Sequence, residues 1–365
     1  MHIINIVGAR PNFMKIAPIV RAIEERKSQG IDIKQTLVHT GQHYSPEMSD
    51  ILFTQLGLPE PDINLNIGSG SHGQQTGRIM EEFEKILFDI KPDVVLVVGD
   101  VNSTIACAID AKKLGIKVVH VEAGLRSHDM DMPEEINRIL TDSISDFLFT
   151  TEKSGTDNLI KEGHSSDKIH FVGNVMIDSL ISNLEKADKT TILSELGLSE
   201  KNYVLATLHR PSNVDTAKQL EKLGSCLTEL AKDKTIVFPA HPRTVANIES
   251  FGLGHLFSKT NNIIITKPLP YHEFICLIKN SHAVVTDSGG IQEETTYLGV
   301  PCLTLRENTE RPVTITEGTN ILIGTDPDRI LEEYKRIDSS DNKQAPALWD
   351  GKAAKRIIDT LLSVQ

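Results

Sequence analysis

A glycine turn at Thr286–Gly290 carries residue types suited to holding an anion. It follows the apolar run Ala283–Val285 and precedes a helical stretch that begins at Ile291, so the pattern predicts strand, tight turn and helix. Adjacent glycines let backbone N–H groups approach a ligand closely, and the start of a helix adds the positive end of its dipole. The turn could therefore bind a phosphate or diphosphate, but a helix N-cap made by Asp287 or Ser288 explains the same residues equally well.

Acidic side chains end two apolar runs in the first half of the chain. Asp100 follows Val94–Val98, and Glu122 follows Lys117–Val121. A carboxylate at a strand end can be partly desolvated, which raises its pKa and suits it to proton transfer. Helix capping competes as an explanation for Asp100, because residues 102–104 lead directly into a helix, whereas Glu122 is not a preferred cap residue.

A third acidic residue, Glu134, lies four positions before Arg138 on a predicted helix that begins at Pro133. That spacing alone favours an exposed ion pair worth roughly 0.3 kcal/mol.

Two histidines end strands in the second half of the chain, and each has an arginine close behind it. His209 is followed by Arg210, and His241 by Arg243. A single buried histidine is most often a core residue satisfied by the backbone. Two in equivalent positions beside arginines favour donors to an anionic ligand.

These residues must be positioned by strands and helices, and short β-rich runs alternate with helical stretches along the chain, as in parallel βαβ units. One series of runs lies within 2–172 and a second within 203–323. We therefore predict an α/β protein with two Rossmann-like, doubly wound domains, 1–173 and 174–345, facing a central cleft. Ligands of such sheets bind beyond the carboxyl ends of the strands, so the cleft is the expected site. The amphipathic tail within 346–365 needs a partner surface.

Composition excludes several classes of protein. The net charge of -12 argues against a nucleic-acid partner, since nucleic-acid binders usually present a basic field. The apolar runs are too short to span a membrane, and the chain begins with a strand-like segment, so we expect a soluble, cytoplasmic protein. Scattered cysteines and the lack of HxxxH, CxxC or GxGxxG patterns predict neither a metal nor a nicotinamide cofactor.

The combination of motifs, taken in order over nearly the whole chain, resembles the non-hydrolysing UDP-N-acetylglucosamine 2-epimerases. The motifs are Gly8-Ala9-Arg10-Pro11 with Lys15, Gly99-Asp100, Glu122-Ala123-Gly124-Leu125-Arg126, Pro133-Glu134-Glu135-Ile136-Asn137-Arg138, Asp287-Ser288-Gly289-Gly290-Ile291-Gln292-Glu293-Glu294 and Thr309-Glu310-Arg311-Pro312. The resemblance implies a glycosyltransferase-B-like fold, a homodimer, and a C-terminal helix that packs on the first domain. It also implies no cofactor and a UDP-sugar substrate.

The activity implied is interconversion of UDP-N-acetylglucosamine and UDP-N-acetylmannosamine by elimination and re-addition of UDP through 2-acetamidoglucal, in the service of surface polysaccharide synthesis. Such a route needs acid/base groups on both faces of the sugar and a cradle for the diphosphate. By matching motifs, the resemblance makes Asp100, Glu122 and Glu134 the acid/base candidates and His209 the group that assists departure of UDP. It overrides the ion-pair interpretation of Glu134. The implied substrate-binding residues are Arg10, Lys15, Arg138, His241, Phe274, Ser288, Gly289, Gly290, Glu294 and Arg311.

Some features depart from the family pattern and leave alternatives open. Many members have Glu-Asn after the His-Arg pair, where this chain has Pro211-Ser212-Asn213. Gln42 and His43 resemble the start of a segment that binds an activating second substrate in bacterial members, but the longer spacing here is typical of archaeal-type members and of epimerases acting on UDP-2,3-diacetamido-glucuronic acids. Such an epimerase is the first alternative function, and a UDP-sugar glycosyltransferase of the same fold is a more distant one.

Overall fold

A computed structural model of the chain describes residues 1–41, 53–257, 262–337 and 345–364. The chain divides into two compact units. Unit 1 comprises Met1–Ser182 and Ala347–Gln365, and unit 2 comprises Asn183–Pro346. The first boundary lies inside a helix, Val175–Asp188, and not at residue 173 where the strand pattern ended.

Unit 1 is built on a parallel sheet. Within the described residues, seven strands pair in the order β3-β2-β1-β4-β5-β6-β7. They span β1 His2–Val7, β2 Lys34–His39, β3 Ile63–Asn64, β4 Val94–Val98, β5 Lys117–Val121, β6 Phe147–Thr150 and β7 Ile169–Phe171. Strand β1 pairs with β2 on one side and β4 on the other, so the strand order reverses between β1 and β4. Ligands of open α/β sheets bind at such a switch point.

The helices of unit 1 follow their strands closely. They are α1 Arg10–Ser28, α2 His72–Ile90, α3 Asn102–Lys113, α4 Pro133–Ile144, α5 Lys153–Lys161 and α6 Val175–Asp188, with a 3₁₀ turn at Ser166–Lys168. Helix α4 begins at Pro133 as predicted, because the fixed φ of proline and its missing N–H suit the first turn of a helix.

Unit 2 repeats the architecture with a sheet of six parallel strands, counted within the described residues, in the order β10-β9-β8-β11-β12-β13. Its strands are β8 Tyr203–Thr207, β9 Thr235–Pro239, β10 Ile263–Thr266, β11 Ala283–Thr286, β12 Cys302–Thr304 and β13 Asn320–Leu322. Its helices are α7 Ile192–Glu195, α8 Pro211–Val214, α9 Ala217–Leu230, α10 Pro242–Ser250, α11 Gly254–Phe257, α12 Tyr271–Asn280, α13 Gly289–Leu298, α14 Val313–Thr316 and α15 Asp328–Tyr334. The strand order reverses between β8 and β11.

The C-terminal helix α16, Ala353–Ser363, belongs to unit 1 and packs on α1. The side chains predicted to form its apolar face are buried, Ile357 and Ile358 among them. Asp178 on α6 accepts hydrogen bonds from the first backbone N–H groups of α16, at 3.2 and 2.8 Å. These contacts cap the helix and provide the partner surface that its amphipathic pattern required.

The structure confirms the predicted fold class of two doubly wound α/β sheets. All four cysteines are buried and unpaired by disulfides, which fits packing residues. Within the described ranges no helix has both the length and the apolar character to cross a membrane. The same residues contain no cluster of three or more His, Cys, Asp or Glu side chains able to hold a metal ion.

Candidate active site

The strand ends at the switch point of unit 1 are joined by Asn12 on α1. Its Oδ1 accepts from the backbone N–H of Ala9 at 2.9 Å, and its Nδ2 donates to the carbonyl oxygen of Val98 at 3.0 Å. The turn after β1 and the end of β4 are therefore fixed to each other. Neither Ala9 nor Val98 has a side chain that could do this, so the buried amide sets the spacing of the two strand ends.

Glu122, directly after β5, forms a buried ion pair with Lys15 of α1. The two side chains are only 2% and 7% exposed, and Lys15 Nζ donates to Glu122 Oε2. The other carboxylate oxygen, Oε1, is buried and accepts no hydrogen bond from the described residues. The pair packs against Gly99, where a Cβ would lie 2.9 Å from Lys15 Nζ and where the φ of +69° favours glycine.

Asp100, which follows Gly99, pairs with Arg138 on α4. Arg138 donates from Nε and Nη2 to the same oxygen, Asp100 Oδ2, at 3.0 and 2.6 Å. The N-cap position of α3 belongs to Val101, with no side-chain hydrogen bond, so Asp100 does not cap the helix. The capping alternative for Asp100 is thus absent from the structure.

Arg138 also donates to Glu135 Oε2 at 2.5 Å, and this pair is buried. Glu135 accepts two further hydrogen bonds, from the backbone N–H groups of Ser127 and His128, at 3.0 and 2.8 Å. Burial acts to raise the pKa of Glu135, but these bonds and the charge of Arg138 outweigh it and hold the pKa below its ordinary value. Sequence reasoning did not single out Glu135, which orders the loop before α4.

Glu134 lies one position earlier on α4 and is partly exposed. Among the described residues, no hydrogen bond or ion pair is recorded for its carboxylate. The surface ion pair with Arg138 that the spacing favoured is therefore wrong, because Arg138 turns inward to Asp100 and Glu135. The Glu134 carboxylate thus has no ion-pair partner among the described residues of α4 or its neighbours.

In unit 2, the fully buried carboxylate of Asp287 orients His209. Its oxygens accept from His209 N–H at 3.0 Å, Arg210 N–H at 2.8 Å and Asn213 Nδ2 at 3.0 Å. His209 Nδ1 lies 2.9 Å from Asp287 Oδ1, and the His209 side chain is 46% exposed. Burial acts to raise the pKa of Asp287, but the bonds from His209, Asn213 and the Arg210 amide hold it below its ordinary value. An ionised Asp287 requires the Nδ1–H form of His209, which turns Nε2 away from the carboxylate.

The two histidines predicted as a pair are neighbours, with ring centroids 6.1 Å apart. His241 is the N-cap residue of α10, and its Nδ1 accepts from the N–H of Arg243 at 3.2 Å. The two arginines are engaged within unit 2. Arg210 Nε donates to the carbonyl oxygen of Asp287 at 2.9 Å, and Arg243 Nε donates to Asp215 at 2.8 Å.

The glycine turn forms as predicted, with β11 ending at Thr286 and α13 beginning at Gly289. Ser288 occupies the N-cap position but makes no side-chain capping bond, and Asp287 faces His209. The side-chain cap is therefore not what fixes this turn. Ser288, Gly289 and Gly290 are partly exposed at the start of the helix, where backbone N–H groups have no partner within the helix.

The remaining predicted binding residues of unit 2 are largely buried. Arg311 Nε lies 2.8 Å from Glu293 Oε1, and its Nη1 pairs with Glu310, so its charge is balanced by two carboxylates. Glu294 is buried and accepts from the hydroxyl of Tyr271 at 3.3 Å. Phe274 is partly buried on α12. Arg311 also packs against the glycine turn, since a Cβ on Gly289 would lie 2.8 Å from Arg311 Nη1.

Three predicted residues remain, namely Arg10 of the binding set and the pair Gln42 and His43. Arg10 is the first residue of α1. Gln42 and His43 lie outside the described residues.

The chain is similar over almost its whole length to curated enzymes. It is 46% identical over 360 residues to a UDP-N-acetylglucosamine 2-epimerase of Methanococcus maripaludis, covering 97% of this chain and 96% of that protein. It is 41% identical over 366 residues to a UDP-2,3-diacetamido-2,3-dideoxy-D-glucuronate 2-epimerase of Pseudomonas aeruginosa, covering 99% of each.

Solved structures and a family model point to the same family as these relatives. The crystal structure of Methanocaldococcus jannaschii UDP-GlcNAc 2-epimerase in complex with UDP-GlcNAc and UDP matches with a TM-score of 0.90 and 42% identity, covering 100% of both chains. The family model described as UDP-N-acetylglucosamine 2-epimerase matches residues 24–362. With its two doubly wound units and its carboxylates and glycine turn at the switch points, the chain belongs to the UDP-N-acetylglucosamine 2-epimerase family.

Proposed function

We propose that this enzyme interconverts UDP-N-acetylglucosamine and UDP-N-acetylmannosamine without hydrolysing them. UDP leaves C1 as the C2 proton is lost, 2-acetamidoglucal forms, and UDP adds back with the proton returned to the opposite face. Relatives at 46% and 43% identity are named UDP-N-acetylglucosamine 2-epimerases, and the matching crystal structure contains UDP-GlcNAc and UDP, which supports the proposed substrate.

The carboxylate of Glu122 is the observation that carries the proposal. Lys15 fixes one of its oxygens, while the other is buried and accepts no hydrogen bond from the described residues. Buried polar atoms are normally satisfied, so an oriented, open oxygen suits a group that exchanges a proton with a substrate. Two further carboxylates serve the second face of the sugar. They are Asp100, which Arg138 orients, and Glu134, which has no ion-pair partner among the described residues.

Unit 2 supplies the binding of the leaving group. The backbone of Ser288, Gly289 and Gly290 at the start of α13 offers N–H donors and the helix dipole to a diphosphate. His209 assists departure of UDP, since Asp287 orients its ring with Nε2 turned outward. His241 lies beside it as a second donor, and Glu294 accepts from the ribose hydroxyls near Phe274.

The alternative substrate is a UDP-2,3-diacetamido-glucuronic acid, which the Pseudomonas relative at 41% identity favours. Its carboxylate would need a cation of its own in the sugar site. Lys15 and Arg138 are already paired with Glu122, Asp100 and Glu135, so the arrangement of unit 1 fits the uncharged N-acetyl sugar better. A glycosyltransferase is less well supported, because it has no use for a second and third carboxylate in unit 1.

The enzyme is also proposed to act as a cytoplasmic homodimer with no cofactor. Apolar side chains on α4 support association, since Ile136 and Leu140 lie four residues apart on one face and are 41% and 48% exposed.

Proton NMR of the purified protein with each of the two UDP-sugars tests the proposal. With UDP-N-acetylglucosamine alone, we expect the anomeric and N-acetyl signals of UDP-N-acetylmannosamine to grow to a constant ratio, and Glu122→Gln to abolish them. Turnover of the diacetamido-uronate alone would replace the proposed substrate. Sugar transfer to an added acceptor without epimerisation would refute the reaction class.

A further inference from the structure

A histidine that the proposed mechanism does not use, His120, connects three elements of unit 1. It lies on β5 and is fully buried. Its Nε2 is 2.8 Å from the carbonyl oxygen of Gly99, the residue before Asp100. Its Nδ1 is 2.6 Å from Oδ1 of Asp142, on helix α4.

Each of these elements carries one of the candidate acid/base residues. Strand β5 leads into Glu122, the end of β4 leads into Asp100, and α4 carries Glu134 near its start. Within the described residues, the His120 side chain therefore connects the three elements that carry these carboxylates: the end of β4, strand β5 and helix α4. A shift of His120 would move them relative to one another.

The acceptors on the two sides of the ring fix its orientation. A carbonyl oxygen only accepts, so Nε2 donates to Gly99. Asp142 Oδ2 lies 2.7 Å from Arg126 Nη2 and accepts from the N–H of Gly124 at 3.1 Å. Burial acts to raise the pKa of Asp142, but His120 and Arg126 outweigh it and hold the pKa below its ordinary value. The imidazole is therefore held at both ring nitrogens, by the Gly99 carbonyl on one side and by the Asp142 carboxylate on the other.

The carboxylate that holds His120 is itself fixed by Arg126. Arg126 also pairs with Glu162, through Nε to Oε1 at 2.8 Å and Nη2 to Oε2 at 2.6 Å. The buried Arg126 is thus paired with Asp142 on one side and with the exposed Glu162 on the other. A buried cation is tolerated when it is paired and hydrogen-bonded in this way.

We propose that His120 is a positioning residue, a buried imidazole that holds the ends of β4 and β5 and helix α4 in the relative geometry that proton transfer by Asp100, Glu122 and Glu134 needs. It does not touch the substrate. The kinetic consequence rests on the proposed epimerase function, whereas the fixed position of the His120 ring does not.

The fixed position of the ring is tested by NMR of protein labelled with ¹⁵N in histidine. The His120 signals are assigned by their loss in His120→Asn. We expect the ring N–H that donates to Gly99 to exchange slowly with solvent, because it is buried and hydrogen-bonded. A His120 ring N–H that exchanges as fast as that of an exposed histidine would refute the fixed ring and with it the proposal.

The positioning role is tested by comparing His120→Asn and His120→Gln with the matched variant His170→Asn. His170 is a partly buried histidine on β7 of the same sheet, and its Nε2 has no hydrogen-bond partner among the described residues. We expect His120→Asn to lower kcat roughly 10- to 100-fold while KM changes by less than about threefold, because the variant misplaces the acid/base carboxylates but leaves substrate binding intact.

The longer amide in His120→Gln can still reach Gly99, so we expect it to recover part of kcat. His170→Asn should leave kcat unchanged. Folded His120→Asn with wild-type kcat would refute the positioning role, and if neither His120 variant folds, the NMR result on the unaltered protein decides. Failure of the proposed function is separate, because it would appear as an inactive wild type.

Discussion

At the residue scale, the ion pair of Lys15 and Glu122 affects both the stability of the protein and the proposed proton transfer. Both charges are buried, so removing one leaves the other without its partner in a poorly solvated place. Lys15→Met is expected to lower the free energy of unfolding by about 3 kcal/mol and to abolish turnover. Urea unfolding followed by circular dichroism measures the first effect.

The matched control is Lys153→Met, which breaks an ion pair with Asp157 on the surface of unit 1, where the two side chains are 79% and 54% exposed. Solvent screens that pair, so we expect a change within about 0.5 kcal/mol. Equal losses in the two variants would show that burial of the Lys15 pair has no special energetic consequence.

Asp287 is expected to act through His209. Asp287→Asn replaces an acceptor of several hydrogen bonds with a group that cannot accept at both ends, so the His209 ring loses its fixed tautomer. We expect kcat to fall roughly 10- to 100-fold, with the calorimetric affinity for UDP little changed.

Asp215→Asn serves as the comparison, since Asp215 is a carboxylate of unit 2 that pairs with Arg243 and has no hydrogen bond to His209 among the described residues. If both variants turn over at the same rate, Asp287 has no role in orienting the histidine.

Residue types indicated candidate site residues, whereas the partners of those residues could not be predicted from the sequence. Glu122, Asp100 and the glycine turn stood out because polar or small residues followed apolar runs. His120 interrupts the valines of β5, which was a usable signal, but its partner Asp142 lies 22 residues later on a helix, and no local pattern joins them. Arg311 was expected to face the diphosphate, yet its charge is balanced by Glu293 and Glu310, a network that only the fold brings together.

At the scale of elements, the packing of α3 on α2 buries a carboxylate without a counter-charge. Asp110 of α3 is buried, and one of its oxygens has no hydrogen-bond partner in the part of the chain that is described. Burial, with the nearby charge of Glu84 on α2, raises the pKa of Asp110 to about 7, against a smaller lowering by Lys113. The folded protein therefore holds a proton there that the unfolded chain releases near pH 4.

This raised pKa sets a pH dependence of stability. The contribution of Asp110 is fully present below about pH 4 and is lost as pH rises through 7, so the unfolding free energy should fall between about pH 4 and 7 and level off above that. Asp110→Asn is expected to remove that fall and to be more stable than wild type at pH 8. Urea titrations at several pH values measure it, with the exposed Asp89→Asn as control. An unchanged slope in Asp110→Asn would contradict the assignment.

The elements themselves were predictable where their patterns were strong. Buried parallel strands appear in the sequence as short apolar runs, and Pro133 marked the start of α4. Strand β3, Ile63–Asn64, was missed because two residues carry no periodicity. The compact units divide inside α6, whereas the strand pattern placed the boundary at residue 173, because α6 continues without a break in its helical pattern.

At the scale of the whole molecule, association through the exposed apolar face of α4 is the expected arrangement. Leu140→Glu places a charge on that face and should convert a dimer to a monomer, as measured by sedimentation velocity or by light scattering on a sizing column. Ile160→Glu on α5, at an equally exposed apolar residue, should leave the dimer intact. A monomeric wild type would contradict the proposed dimer.

The central claim is that this enzyme breaks and remakes the C2–H bond of UDP-N-acetylglucosamine through the carboxylates of unit 1. Proton NMR in D₂O, with no acceptor, metal or cofactor added, tests it most directly. We predict that deuterium enters C2 of both sugars as UDP-N-acetylmannosamine accumulates, and that Glu122→Gln stops the exchange. Epimerisation with the C2 proton fully retained would contradict the elimination route, and no reaction by a folded wild type would contradict the proposed substrate.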